Sequence, residues 1–441
     1  MVFSALWCRD VLSRYCLITI WGNEMRELLR TPVLVLLMIS ILVTCVSLVG
    51  GLLSSLISLF TIALILGKEG MEPLLSKSVK LLLFFFVVVI VYSVFGYGKL
   101  NSKTLLTQFF AIIQILSAFL ISNYVRTSIN DSQVKFFLAV FIIAITYSVL
   151  TTTYIGHINP MAVREYGFGD VGEEDINEAS FYHSLGMMSY SLAHAMSVVA
   201  MGLSSIVCFA SNKLLRFFSL FLLFFIIRLL FLMTITTALL LTCIGVSLVF
   251  VTYLFKGRIL ISLPVVILII TIVFHTSLPA SVLNFSQDNN EVISDKLVDV
   301  LSYIETGKGE EQSDTRLELY GNSLSTFLGN PILGCGKDNG SRTVIGEHSL
   351  LFDNLAYYGL FALLLFVAWW NEFKKTSELL SDGLKVSYYY SIIPVFGLVT
   401  LKGEAVCIWL PYMSLFFIQI VFYYLDLKHE VLIDDDLEEE E

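Results

Sequence analysis

The sequence predicts an all-α integral membrane protein of about twelve transmembrane helices, with a helical outer cap before the tenth span. Three observations predict it. The chain is 56% hydrophobic and only 15% charged, with a mean hydropathy of +0.81, whereas soluble domains are about half apolar and a quarter charged. Apolar stretches close to the roughly 20 residues needed to cross a bilayer recur along its length. The basic residues are shared unevenly between alternate loops.

Taken in order, residues 1–31 read as an interfacial helix. The first apolar stretch, Val11–Trp21, is too short to span, and there is neither an early basic segment nor an A-x-A-like cleavage site. Trp7, Trp21 and several arginines suit headgroup depth. Candidate spans follow near 32–49, 52–66, 80–96, 104–123, 135–155, 184–210, 213–232, 234–255, 258–278, 349–370, 386–402 and 407–426. Nine of them fall within 32–278 and three within 349–426, and residues 427–441 form an acidic cytoplasmic tail. Gly50–Gly51 makes the first two spans a tight hairpin. With the N-terminus inside, seventeen of the 27 Lys and Arg fall in inner loops and nine outside, with Arg228 inside a span. That bias places both termini inside.

Two outer segments are long, 156–183 and 279–348. The second has helical patterning: Leu297, Val300, Leu301 and Ile304 recur at helical spacing, as do Leu317, Tyr320, Leu324 and Phe327. Thr315-x-x-Glu318 reads as a capping box opening the second of these helices. "GNPILGCG", residues 329–336, ends it with Pro331 and glycines including Gly334 and Gly336.

A net charge of -10 without a basic run argues against a nucleic-acid partner, and the seven cysteines form no CxxC pair, zinc site or disulfide framework. His348 stands where the outer loop meets the membrane, beside Glu347. It reads either as a general base toward a hydroxyl or as an interfacial histidine held by a backbone carbonyl. Asp353, five residues on, lies about 140° around the helix from His348, so it pairs better with Ser349 or Tyr357. Arg316 offers a planar fork for phosphate oxygens or a salt bridge to Asp314. Arg342 and Lys337 flank "GCGKDNG" and either join that positive cluster or remain solvated loop charges. Arg228 either faces a water-filled interior or snorkels to headgroups. Arg164 sits among six carboxylates in 165–178, which lack the spacing of a calcium loop. Gly334-x-Gly336-x-x-x-Gly340 follows a helix and a proline, not a strand, and reads as a tight turn re-entering the membrane.

The run "DTRLELYGNSLSTFLGNPILGCGKDNGSRTVIGEHSLLFDNLAYYGLFALLLF" resembles the C-terminal signature of the O-antigen ligase and Wzy-type polysaccharide polymerase superfamily. An arginine on an outer-loop helix (Arg316) precedes an N-P-l-x-G-x-G turn (Asn330, Pro331, Gly334, Gly336), then a histidine (His348) heads a membrane helix with a Y-G step (Tyr358-Gly359). The resemblance implies a GT-C-like glycosyltransferase of the bacterial inner membrane, acting at its outer face in O-antigen or capsule synthesis. Donor and acceptor would be undecaprenyl-pyrophosphate-linked oligosaccharides, no metal or cofactor would be needed, and a chain-length regulator protein is an expected partner.

In these terms His348 is the catalytic base and Arg316 contacts the donor pyrophosphate, with Arg228, Arg342, Arg164 and Glu347 in the substrate-binding set and Pro331, Gly334 and Gly336 shaping the loop. The chain departs from the signature twice. His348 is followed by Ser349 where the family often has Asn, and "MTITTALL" at 233–240 lacks the arginine that often opens a central span. Arg228 is the candidate replacement. A polymerase is the leading reading and a ligase the second. A transporter lacks support, because no internal repeat or paired halves are present.

Overall fold

The computed structural model describes residues 51–95, 102–159, 162, 166, 181–182, 185–233, 235–255, 298, 311–336, 345–403 and 409–427. These form helices throughout, with no strand among the described residues. The helices are α1 (Gly51–Glu69), α2 (Lys77–Phe95), α3 (Ser102–Ser128), α4 (Asp131–Ile158), α5 (Tyr190–Phe209), α6 (Lys213–Leu232) and α7 (Thr236–Leu254). They continue with α8 (Glu311–Gly329), α9 (Leu350–Tyr358), α10 (Leu363–Ser377), α11 (Asp382–Tyr390), α12 (Ile392–Leu401) and α13 (Trp409–Leu427). Among the described residues, nine helical segments are long and apolar enough to cross a membrane, α9 with α10 and α11 with α12 each counting as one. The chain is thus a multi-pass membrane protein, helical in its described part.

The helix α1 covers the expected span 52–66. The expected spans 32–49 and 258–278, the N-terminal segment 1–31 and the tail from 428 lie outside the described residues.

In a bilayer a helix satisfies its own backbone, so which face is buried is set by packing rather than by a polar stripe. Helix α5 is buried almost all round, from Leu192 to Ile206, and α13 is nearly as enclosed. Around α5 pack α6, α7, α12 and α13. Small residues let them close: a Cβ on Gly202 would meet Phe417 at 2.7 Å, and one on Gly245 would meet Met201 at 2.3 Å. By contrast α6 shows Leu214, Phe217, Phe218, Phe221 and Phe224 outward, an apolar face suited to lipid. A second group joins α1 to α3 and α2 to α10.

Two expected spans are broken. The 349–370 stretch is not one helix: α9 ends at Tyr358, Gly359 takes a positive φ of 60°, and a 3-10 turn, Gly359–Ala362, leads into α10. The second break separates α11 from α12 at Ser391, three residues before Pro394.

The polar helix α8 packs on α9 and corrects two expectations. It begins at Glu311, a turn before Thr315, so Thr315-x-x-Glu318 is not its cap. The buried face is also rotated from the apolar stripe: Ser323 is fully buried, Tyr320 and Phe327 are half-buried, and Leu317 and Leu324 are exposed.

Candidate functional site

The site is built where a five-residue strap, 345–349, passes between α8 and the end of α12 to start α9. Gly346 presses on α8 so closely that a Cβ there would stand 2.3 Å from the Leu319 carbonyl oxygen, and its N–H donates to Ser323 Oγ at 2.9 Å. On the other side Leu350 N–H donates to the Lys402 carbonyl at 2.7 Å. Gly403 leaves room for the Glu347 carbonyl, which a Cβ would meet at 2.9 Å. Glu347 itself has φ 55°, the left-handed region that a non-glycine residue enters at a cost. Its carboxylate accepts a hydrogen bond from Tyr357 Oη at 2.9 Å. His348 is exposed, with no hydrogen bond to another described residue.

Ser349 caps α9: its hydroxyl accepts from Phe352 N–H at 3.1 Å. Asp353, buried at 4% exposure, closes the cap from the other direction. Its Oδ2 accepts from Ser349 N–H at 2.8 Å and its Oδ1 from the Ser323 hydroxyl at 2.6 Å. Asp353 therefore pairs with Ser349, as helix geometry requires, but through the backbone N–H. Tyr357 pairs with Glu347 instead.

Arg316 is exposed on α8, one turn before Tyr320. Tyr320 Oη donates to the Leu401 carbonyl at 3.1 Å. Burial raises the Tyr320 hydroxyl above its ordinary pKa; the Arg316 charge pulls against this and the Asp353 charge adds to it. Contacts thus run from Tyr320, one turn from Arg316, to the 401–403 turn and from there to the Glu347 carbonyl beside His348, and no hydrogen bond or ion pair joins Arg316 to His348 among the described residues.

Pro331, Gly334 and Gly336 lie in a turn that packs against the break after α9. Breaking the helix at Gly359 leaves backbone groups without intrahelical partners, and the 330–336 turn supplies them. Leu360 N–H donates to the Pro331 carbonyl at 2.8 Å, Cys335 N–H to Ala356 O at 2.9 Å and Gly336 N–H to Tyr357 O at 3.0 Å. Gly334 (φ 71°) and Gly336 (φ 74°) turn the chain through left-handed backbone. Gly334 and Gly359 face each other with no room for side chains: a Cβ on either would lie 2.4 Å from a carbonyl oxygen opposite. From α2, Tyr92 Oη donates to the Leu333 carbonyl and its ring meets Tyr358 edge-on at 5.6 Å.

Arg228 bonds to α4. Exposed near the end of α6, it donates from Nη2 to His157 Nε2 of α4 at 2.8 Å. No hydrogen bond or ion pair connects it to His348 among the described residues. Arg342, Arg164 and Lys337 lie outside the described residues. Among the described residues no three His, Cys, Asp or Glu side chains come together as a metal site. Sequence reasoning missed Ser323, Gly346 and Gly403. A lone serine and two scattered glycines carry no local signal, because their partners are distant in the chain.

Residues 220–367, about a third of the chain, match the model of a family, Wzy_C, described as O-antigen ligase. No curated protein matches the chain. The matched stretch carries Arg228, Arg316, Pro331, Gly334, Gly336, His348 and Gly359, and over it the chain is similar to the O-antigen ligase and polymerase superfamily, without separating the two.

Proposed function

We propose that this protein is a membrane glycosyltransferase that moves a growing glycan from undecaprenyl pyrophosphate onto a sugar hydroxyl of another lipid-linked repeat unit. The observation that carries the reading is the presentation of His348: an exposed imidazole at the head of a membrane span, on a strap fixed from both sides, one of them the helix that carries Arg316. In the proposed step the imidazole takes the proton of the acceptor hydroxyl, whose oxygen forms a bond to the anomeric carbon of the donor glycan. The bond from that carbon to the pyrophosphate breaks, and its electron pair leaves with the lipid. Charge developing on the leaving group calls for guanidinium donors. Arg316 is assigned that role, with Arg228, Arg342 and Arg164 as further candidates and Glu347 beside the acceptor. The reaction faces the outside of the cell membrane and is metal-independent. A chain-length regulator is a proposed partner.

The test is purified protein in nanodiscs with lipid-linked repeat units as the sole substrate. A ladder of chain lengths is expected, and it disappears in a stably inserted His348→Ala protein. Full synthesis by that variant overturns the assignment of the base. The description of the matching family favours a second reading, in which the glycan passes to a different acceptor such as a lipid A core. Single transfer to an added core acceptor, with no ladder from repeat units alone, would select it.

A further inference from the structure

We infer that Asp353 is a positioning residue for His348, acting through the peptide that follows the histidine and through Ser323 of α8. The inference rests on the reading of His348 as the base. The carboxylate does not reach the imidazole: five residues of helix put it on another face. It reaches the backbone instead. Its Oδ2 accepts the N–H of Ser349, the residue next to His348, at 2.8 Å. This is a capping box displaced by one residue, in which the reciprocal acceptor is the fourth residue of α9 rather than the third.

Its other oxygen joins the strap to α8. Asp353 Oδ1 accepts from Ser323 Oγ at 2.6 Å, and the same Ser323 oxygen accepts from Gly346 N–H at 2.9 Å. The carboxylate and one hydroxyl therefore fix the chain two residues before His348 and one residue after it. Ser323 is fully buried and Asp353 is 4% exposed, so water does not compete for these bonds. The carboxylate also lies near the N-terminus of α9, where the helix dipole favours negative charge. Placing the bridge on α8, the helix that carries Arg316, ties the position of the base to that of the arginine proposed for the leaving group.

The test compares Asp353→Asn, Ser323→Ala and the double variant with wild type and His348→Ala, measuring kcat and KM for the lipid-linked donor. Asn keeps the shape but offers one acceptor where two are needed; Ala removes the bridge to α8. Each single variant is expected to lower kcat on the order of tenfold to a hundredfold, as small displacements of a reacting group do, while KM changes less than about twofold. Because Ser323 is argued to act through Asp353, the double variant should be no slower than Asp353→Asn alone.

Equal losses in kcat and in affinity, or losses that multiply in the double variant, would mark independent structural roles and overturn the inference. If Asp353→Asn fails to insert, Ser323→Ala carries the same comparison, and wild-type kcat in that variant overturns it. His348→Ala retaining transfer removes the reading of the base itself. His348→Ala inactive beside fully active Asp353→Asn removes only the positioning role.

Discussion

Glu347 occupies left-handed backbone directly before His348, and two groups hold it there: Tyr357 bonds its carboxylate, and Gly403 leaves space for its carbonyl. A non-glycine residue in this region costs about 1 kcal/mol or somewhat more, and such strain persists only where surroundings enforce it. Glu347→Gly should relieve the strain while deleting the Tyr357 bond. The expected outcome is a thermal midpoint within a few degrees of wild type and a clearly reduced initial rate, read from unfolding scans and glycan-transfer assays on one preparation. A proportional fall in both would show that Glu347 serves stability alone. Arg228 presents a different balance, because its bond to His157 Nε2 needs the lone pair of a neutral ring. If Arg228 replaces the arginine missing from 233–240, Arg228→Ala should raise the donor KM severalfold and leave insertion intact. Normal polymer from that variant would remove Arg228 from the site.

The junction of the 330–336 turn with the α9 break depends on two glycines that nearly touch. A methyl group on Gly334 or Gly359 meets a carbonyl oxygen at 2.4 Å and also demands a positive φ of a residue with Cβ. Gly334→Ala and Gly359→Ala should each destabilise by about 1–3 kcal/mol and slow transfer. Gly321→Ala in α8, where a Cβ meets nothing within 4 Å, should stabilise by up to about 1 kcal/mol. Differential scanning of the three variants checks both signs.

Of this junction the 329–336 turn was legible in the sequence, because glycine and proline announce backbone geometry locally, whereas the break at Gly359 was not, since 349–370 reads as one apolar span. Apolar runs likewise announced most of the described helices. The burial of α8 was not legible. Its apolar positions Leu317 and Leu324 face outward, and buried Ser323 takes the inner face because it bonds groups 23 and 30 residues away. Hydrophobic periodicity cannot report a partner that the chain brings back from that distance.

Across the molecule, polar side chains along α3 form a seam that ties it to α1 and α10 within its own group and to α13 of the other. Gln114 Nε2 donates to Ser55 of α1 at 3.0 Å, Ser117 bonds Tyr412 of α13, and Ser122 donates to Gln419 at 3.1 Å. At the end of the seam Arg126 bonds Glu372 of α10, whose second oxygen accepts from Lys375 at 2.7 Å. The Arg126 and Glu372 side chains are only 6% and 1% exposed. Such a pair gives little net stability over an apolar pair of similar size, yet removing one partner leaves a buried charge and costs roughly 3–5 kcal/mol. Glu372→Ala should therefore lower the unfolding midpoint strongly. Glu372→Gln, which keeps an acceptor, should lower it less, and Arg126→Met with Glu372→Leu should recover most of the loss. Salt should barely move the wild-type midpoint, since a buried pair is poorly screened. Thermal unfolding in detergent at low and high ionic strength measures all four proteins. A double variant no more stable than Glu372→Ala would mean that the seam holds the helices by these particular bonds, not merely by avoiding an unpaired charge. The cluster lies on α10, past the Gly359 break that separates it from α9, so turnover per folded molecule should stay near wild type in Glu372→Gln. A loss of turnover at full folding would instead show that the break transmits strain from the seam to the His348 strap.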